Sequence, residues 1–182
     1  MKGKPVIDPV YMTATYKFDQ SDDLIDVVQN RSGYIYSRWD NPSVVAVEQE
    51  LAELEGYDYA VGFGSGMAAI TTAIMANVKA GDRIVSTQEI YGGTYELLHD
   101  TLPAFQVDTV MINCWDQERM MAEIDKGLTL LYLETPTNPL LRVVDIQYLA
   151  DAAHARGAVV LLDATFASPV NQHPVDLGVD VT

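Results

Sequence analysis

Between residues 59 and 163, short apolar runs alternate with longer segments of helical spacing, and this alternation sharply limits the possible folds. The apolar runs are rich in Val, Ile and Leu along their whole length, which is typical of strands buried on both faces of a parallel sheet. Helices between such strands supply the long crossover connections that parallel pairing needs. The pattern therefore predicts an α/β fold of three layers, with a mainly parallel sheet covered by helices on both faces.

The predicted elements follow one another in a regular order. Strands are predicted at 59–63, 83–87, 107–112, 128–133 and 158–163, and helices at 43–55, 66–78, 94–102, 117–124 and 145–156. Residues 175–182 resemble the start of another strand, and a domain rarely stops at such a point. We therefore expect the chain to be a truncated part of a larger domain.

Residues 1–42 have a different character, because Pro5, Pro9 and Gly33 interrupt them and only 22–29 shows a weak helical pattern. An irregular segment of this length has no core of its own, so it is expected to lie on another surface. The predicted organisation is an extended N-terminal arm, residues 1–42, followed by the N-terminal part of an α/β domain, residues 43–182.

The charge balance excludes several classes of function. The 182 residues contain 26 acidic and 11 basic side chains, which gives a net charge of −15 and disfavours binding to nucleic acid or to anionic lipid. Cys114 is the only cysteine and the three histidines lack ligand spacing, so neither a disulfide framework nor a metal site is predicted. No signal-peptide or membrane-span pattern is visible, and a cytoplasmic location is predicted.

A glycine-rich loop, residues 62–67, lies between a predicted strand and a predicted helix. Glycines at such a turn let the backbone approach an anion, and free N–H groups at the helix start point toward it. The spacing of Gly64, Gly66 and Ala69 also fits a dinucleotide-binding pattern, with Glu89 in the place of a ribose-binding acid. A third interpretation is a tight turn with close helix packing.

Six short motifs occur in one order along almost the whole chain. They are Tyr36-Ser37-Arg38 with Asn41-Pro42, Gly64-Ser65-Gly66-Met67-Ala68-Ala69, Tyr91-Gly92-Gly93-Thr94-Tyr95, Glu134-Thr135-Pro136-Thr137-Asn138-Pro139, Asp163-Ala164-Thr165-Phe166, and Gln172 followed by Leu177-Gly178-Val179-Asp180. Together they resemble the pyridoxal 5'-phosphate (PLP) enzymes of cysteine and methionine metabolism, including cystathionine γ-synthase, cystathionine γ-lyase, methionine γ-lyase and O-acetylhomoserine sulfhydrylase. The resemblance implies a truncated large domain of the fold type I PLP-dependent transferases.

The resemblance implies that PLP is the cofactor and that four residues contact its phosphate. The backbone N–H groups of Gly66 and Met67 would hold the phosphate at a helix N-terminus. Tyr36 and Arg38 would reach the phosphate of a neighbouring subunit, a task that suits the forked guanidinium group. The implied assembly is a homodimer or homotetramer with shared sites, and the alternative for Tyr36 and Arg38 is a solvated position on the arm.

Three further residues would contact the cofactor ring. Tyr91 would stack on the ring and assist proton transfer, Asp163 would keep the ring nitrogen protonated, and Asn138 would donate to the phenolic oxygen. Each also has an ordinary structural interpretation, since aromatic residues pack at helix caps and Asp and Asn are common in turns. Glu134 is interpreted as structural support. Ala164 departs from the family, which usually carries Asn there.

The implied reaction is β/γ-elimination or γ-replacement on sulfur-containing or O-acylated amino acids. The family's Schiff-base lysine lies in a Ser-x-Thr-Lys segment beyond the position of Asp180, and no lysine of this chain stands where it is expected; the lysines are Lys2, Lys4, Lys17, Lys79 and Lys126. Gly93 occupies a position where methionine γ-lyases tend to have cysteine, which argues mildly against that member. The alternatives are a non-catalytic PLP-binding fragment, half of a split enzyme, or a dinucleotide-binding domain.

Overall fold

The computed structural model describes residues 6–182, which divide into two compact units. The first unit ends at Gly62, and the second runs from Phe63 to Thr182. The predicted arm and the helix after it both belong to the first unit, and the division predicted after residue 42 stays a prediction. No helix among residues 6–182 has the length and apolar character that crossing a bilayer requires.

The first unit contains two helices, α1 (Ser21–Asn30) and α2 (Pro42–Glu55). Helix α2 begins where the sequence predicts it, because the Asn41 side chain accepts a hydrogen bond from the Ser43 N–H at 2.9 Å and Pro42 occupies a first-turn position. It ends at Gly56, whose positive φ of 80° suits a residue without a Cβ atom. The weak helical pattern at 22–29 is confirmed as α1.

The second unit is a parallel α/β sheet with the strand order β2-β1-β3-β4. Its strands are β1 (Arg83–Thr87), β2 (Asp108–Ile112), β3 (Leu130–Glu134) and β4 (Val159–Asp163); its helices are α3 (Gly66–Asn77), α4 (Gly92–Glu96), α5 (Gln117–Asp125) and α6 (Ile146–His154). Each of the three adjacent strand pairs is parallel. The predicted mainly parallel sheet is therefore confirmed.

Two apolar cores lie on opposite faces of this sheet, as the alternation of side chains along a strand requires. On one face, Leu131 and Leu133 of β3 pack in the same cluster as buried residues of α5 and α6. On the other face, Leu130 and Tyr132 of β3 share a cluster with Ile74 of α3. The sheet thus has helices on both faces, and the three-layer prediction is confirmed.

Two predicted elements differ from the structure. The expected strand at 59–63 is wrong: this stretch forms no strand and has exposed apolar side chains such as Val61, because apolarity without a neighbouring strand edge does not create pairing. The expected helix at 94–102 is split into α4, a π-helical turn at Leu97–Thr101 and a 3-10 turn at Leu102–Phe105. Pro103 lies in the first turn of the 3-10 segment, where proline is tolerated, so the helical turns continue past it to Phe105.

The end of the chain follows β4. A 3-10 turn at Pro174–Leu177 leads to an isolated parallel bridge between Val181 and Leu161. The Leu162 N–H donates to the Val181 carbonyl at 2.9 Å, so this bridge lies on the side of β4 away from β3. The strand start predicted at 175–182 is observed as this single bridge.

Candidate functional site

A cavity of about 310 Å³ lies in the second unit, where β3 and β4 end and α3 begins. The side chains and backbone that line it are Ser65, Gly66, Met67, Ile70, Tyr91, Glu134, Pro136, Asn138, Asp163, Thr165 and Phe166. Parallel α/β sheets bind ligands at this carboxyl edge of their strands. Five of the seven residues singled out in the sequence therefore line one cavity.

The amino end of α3 presents backbone N–H groups at the cavity. Ser65 caps the helix, and its hydroxyl oxygen accepts a hydrogen bond from the Ala68 N–H at 3.2 Å. The N–H groups of Gly66 and Met67 lie in the first turn and have no acceptor within the helix, and the helix dipole adds a partial positive charge there. A Cβ atom built on Gly64 or Gly66 would meet nothing within 4 Å, so close helix packing does not explain these two glycines.

Asp163 ends β4, and neutral donors hold its carboxylate. One carboxylate oxygen accepts from the Thr165 N–H at 3.0 Å and from the Thr165 hydroxyl at 2.5 Å. The other accepts from the Tyr132 hydroxyl at 3.4 Å. Among the described residues no cationic side chain forms a salt bridge with Asp163. The carboxylate is thus oriented without being neutralised, which leaves it free to bind a positively charged group.

Tyr132 lies beneath Asp163 and is fully buried in β3. Burial raises the pKa of the Tyr132 phenol far above its usual value, and the negative charge of Asp163 raises it further. The phenol therefore stays protonated and can only donate to the carboxylate. The sequence assigned no role to Tyr132, because a tyrosine inside an apolar strand resembles any other core residue.

Glu134 ends β3 and is paired in register with Asp163, so the two carboxylates lie at the ends of neighbouring strands. Only 5% of Glu134 is exposed. Its Oε2 atom accepts from the Tyr91 N–H at 2.7 Å, and its Oε1 atom accepts from the Asn138 N–H at 3.0 Å. Burial raises the pKa of Glu134 to about 7; the charge of Asp163 acts in the same direction and the two N–H donors oppose it.

Tyr91 caps α4 at the rim of the cavity and is half exposed. A Cβ atom on Gly93 would lie 2.9 Å from the Tyr91 ring atom Cε1 and 3.0 Å from the sulfur of Met67. The absence of a side chain at Gly93 is therefore what allows the ring and the thioether to approach each other. The Thr94 hydroxyl also contacts the Met67 sulfur, at 3.7 Å.

The structure also locates the remaining predicted residues. Tyr36 and Arg38 lie in the first unit, where the Arg38 guanidinium carbon is 4.9 Å from the centre of the Tyr36 ring. Their role at a neighbouring subunit stays a prediction. Glu89, the candidate ribose-binding acid, accepts a hydrogen bond from the Cys114 N–H at 2.8 Å and is not among the residues lining the cavity.

Sequence reasoning assigned Glu134 only a supporting role and Thr165 none, so it missed their positions at the cavity and their hydrogen bonds, although both lie in quoted motifs. For Glu134 the available signal was an acidic residue closing a fully buried apolar strand, since such residues are almost never buried without hydrogen-bond partners. For Thr165 the signal was a hydroxyl two residues after Asp163, the spacing of an Asx turn.

Comparison with known proteins agrees with the motifs. A family model described as "Cys/Met metabolism PLP-dependent enzyme" matches residues 2–182. The chain is 35% identical over 175 residues to L-methionine gamma-lyase of Fusobacterium nucleatum and 39% identical over 176 residues to a probable cystathionine gamma-synthase of Herpetosiphon aurantiacus. These alignments cover 95% and 97% of this chain but 44% and 53% of the relatives, so the chain spans about half of their length.

Solved structures share the fold as well. The crystal structure of metB from Corynebacterium glutamicum superposes with a TM-score of 0.87 at 36% identity, covering 97% of this chain and 45% of that one. Cystathionine gamma-lyase from Lactobacillus plantarum, complexed with L-serine, gives a TM-score of 0.84 at 38% identity, covering 95% and 43%. The expected fold type I architecture is thereby confirmed, and the chain belongs to the family of PLP-dependent enzymes of cysteine and methionine metabolism.

Proposed function

We propose that this chain forms the phosphate and ring-nitrogen ends of a PLP site, in an enzyme that carries out β/γ-elimination or γ-replacement on sulfur-containing or O-acylated amino acids. One observation supports this more than any other. A single cavity presents an anion-binding helix terminus at α3 and an unneutralised carboxylate at Asp163. PLP carries a phosphate and a ring nitrogen that accepts a proton, so its two ends match these two features.

The cavity also fits the cofactor in size and in donor chemistry. Its volume of about 310 Å³ lies at the lower end of the range usual for small-ligand sites. Apolar contacts for a flat ring come from Ile70 and Phe166, and hydrogen-bonding groups come from Asn138 and Thr165. This mixture of apolar walls and a few placed polar groups is typical of cofactor sites.

Asp163 has the central chemical role in this proposal. Bound PLP supplies an electron sink for carbanion chemistry, and this sink works best when the ring nitrogen carries a proton. The Asp163 carboxylate would hold that proton, while Thr165 and Tyr132 fix the carboxylate's orientation through the hydrogen bonds already described. The Thr165 N–H bond also makes Asp163 a loop cap, so the structural and the chemical interpretations of this residue coexist.

Tyr91, Asn138, Tyr36 and Arg38 complete the proposed set. Tyr91 would cover the ring and move a proton through its phenol, and Asn138 would donate from its side-chain amide to a ring oxygen. Tyr36 and Arg38 would serve the phosphate of a neighbouring subunit in a homodimer or homotetramer. The cytoplasmic location predicted from the sequence stays part of the same proposal.

No lysine is among the described residues that line the cavity. Lys79 and Lys126 lie in the same unit but form ion pairs with Asp82 at 3.1 Å and Glu123 at 2.7 Å. We therefore assign to this chain the binding of PLP and the control of its ring proton, and not the covalent attachment. Non-covalent PLP binding by this chain is the property to measure first.

Substitution of Gly66 tests the phosphate site without disturbing the helix. Gly66 is the first helical residue, and Ser65 before it has the extended backbone that precedes proline, with φ −160° and ψ 157°. Gly66→Pro therefore removes one N–H donor at a position where proline is well tolerated. Gly66→Ala retains the donor, and its Cβ atom would meet nothing within 4 Å, which makes it the matched control.

Equilibrium dialysis should show saturable binding of PLP to the wild-type chain and much weaker binding of pyridoxal, which lacks the phosphate. A charge-assisted hydrogen bond contributes about 1.5–3 kcal/mol, so Gly66→Pro should weaken PLP binding roughly ten- to hundredfold, and Gly66→Ala should change it little. Equal binding of PLP and pyridoxal, or unchanged binding by Gly66→Pro, would contradict the proposed phosphate site.

A further inference from the structure

The Glu134 side chain joins two loops that are far apart in the sequence. Tyr91 lies in the loop between β1 and α4, and Asn138 lies in the loop after β3. Both loops place a backbone N–H on the same carboxylate, at 2.7 Å and 3.0 Å, from positions 43 and 4 residues away. The Glu134 N–H in turn donates to the Thr87 hydroxyl at 3.3 Å, which anchors the carboxylate's own backbone to β1.

We propose that Glu134 is a positioning residue: its negatively charged carboxylate holds the Tyr91 loop and the Asn138 loop in place around the cavity. The importance of these two loops for a ligand rests on the proposed function. The positioning itself concerns only residues of this chain, so it can be tested without a cofactor.

The charge matters because the two N–H donors reach different oxygens of the carboxylate. An ionised carboxylate offers both, whereas a protonated one turns one oxygen into a hydroxyl donor that opposes an N–H group. The ionisable groups facing Glu134 are Asp163 from β4 and the Tyr132 phenol from its own strand. With a pKa of about 7, Glu134 loses its charge at mildly acidic pH, and one loop should then lose its acceptor.

Glu89 provides a matched comparison within the same unit. Its carboxylate also accepts a hydrogen bond from a backbone N–H, that of Cys114 at 2.8 Å, and it is partly buried. Glu89 does not line the cavity. Among the described residues one backbone N–H donates to its carboxylate, whereas two donate to that of Glu134. Glu89 lies two residues before Tyr91 in the same loop, so a substitution there removes a carboxylate hydrogen bond from that loop while leaving the Glu134 carboxylate and its two donors in place.

The test is a pH titration of the backbone amide resonances by NMR in the 182-residue chain, without cofactor. The amide protons of Tyr91 and Asn138 should shift together through one midpoint near pH 7. Glu134→Gln should abolish this shared titration, because the side-chain amide carries no charge and offers one acceptor oxygen. Glu89→Gln should leave it in place. Independent midpoints in the wild-type chain, or a shared titration that persists in Glu134→Gln, would overturn the proposal.

Binding of PLP gives a second readout and separates the two proposals. Above pH 8 the wild-type chain should bind PLP roughly tenfold or more tightly than Glu134→Gln, and this difference should shrink toward pH 6. Glu134→Asp retains the charge but is one methylene shorter, so it should keep part of the pH dependence. If the wild-type chain binds no PLP, the proposed function fails, while the amide titration still decides the role of Glu134. A constant binding difference across this pH range would contradict a role for the charge.

Discussion

The stability of this chain should depend on pH through Glu134, with a sign opposite to that of an ordinary salt-bridged carboxylate. In the unfolded chain Glu134 has a pKa near 4.5, and in the folded chain burial raises the pKa to about 7. Between these two values the folded state keeps a proton that the unfolded state has released. Folding is therefore less favourable at the upper end of this pH window than at the lower end.

The magnitude follows from the size of the shift. Each pKa unit corresponds to about 1.4 kcal/mol, so a change from 4.5 to about 7 corresponds to about 3 kcal/mol. The contribution of Glu134 to the free energy of unfolding is fully present below pH 4.5 and is lost as the pH rises through 7. Other carboxylates titrate in this range too, so the useful quantity is the difference between the wild-type chain and Glu134→Gln.

Urea unfolding followed by circular dichroism, repeated from pH 4.5 to pH 8.5, measures this difference. The wild-type free energy of unfolding should fall by about 3 kcal/mol relative to Glu134→Gln between pH 4.5 and about pH 8 and stay level above that. Glu89→Gln retains Glu134, so as the control it should fall relative to Glu134→Gln over the same pH range as the wild-type chain does. If the wild-type free energy of unfolding stays constant or rises with pH relative to that of Glu134→Gln, the assignment of a raised pKa to the buried carboxylate is refuted.

Three further predictions concern neighbouring residues. Asp163→Asn should move the shared amide midpoint of Tyr91 and Asn138 to lower pH, because it removes a negative charge that raises the pKa of Glu134; an unchanged midpoint in the NMR titration would contradict this. Gly93→Ala should weaken PLP binding in dialysis by displacing the Tyr91 ring, yet change the free energy of unfolding by less than about 1 kcal/mol, since the half-exposed ring can turn into solvent. Arg38→Ala should weaken cofactor binding in an assembled oligomer by roughly tenfold or more, and unchanged affinity there would argue for a solvated arm residue.

The sheet was predictable because its signal is local and redundant. Strands such as Leu130–Glu134 are apolar along their whole length, and this is the expected pattern when both faces are covered by helices. The bounds of α2 were equally local, since the predicted helix at 43–55 agrees with the observed Pro42–Glu55 to within one residue. Five residues that line the cavity also followed from motifs, since each motif ends a strand or begins a helix at the same edge of the sheet.

The rest depends on contacts that a linear pattern does not contain. The run at 59–63 is as apolar as a strand, but pairing needs a partner edge, and the described structure gives it none. The change from α4 to a π-helical turn at Leu97–Thr101 has no proline or glycine to mark it. The function of Glu134 is similarly hidden, because one of its donors lies 43 residues away along the chain.

The raised pKa of Glu134 connects stability with binding. A carboxylate buried beside Asp163 costs about 3 kcal/mol of folding free energy at neutral pH, and an apolar residue at the end of β3 would avoid this cost. A positive charge held by Asp163 would offset the repulsion between the two carboxylates and lower the pKa of Glu134. Thermodynamic linkage makes this effect reciprocal. Ionisation of Glu134, which holds the Tyr91 and Asn138 loops, would strengthen binding of that positive charge by the same free energy by which the bound charge favours the ionisation. The destabilising carboxylate would therefore make loop order and cation binding at the cavity reinforce each other, and proteins commonly give up stability at functional sites in this way.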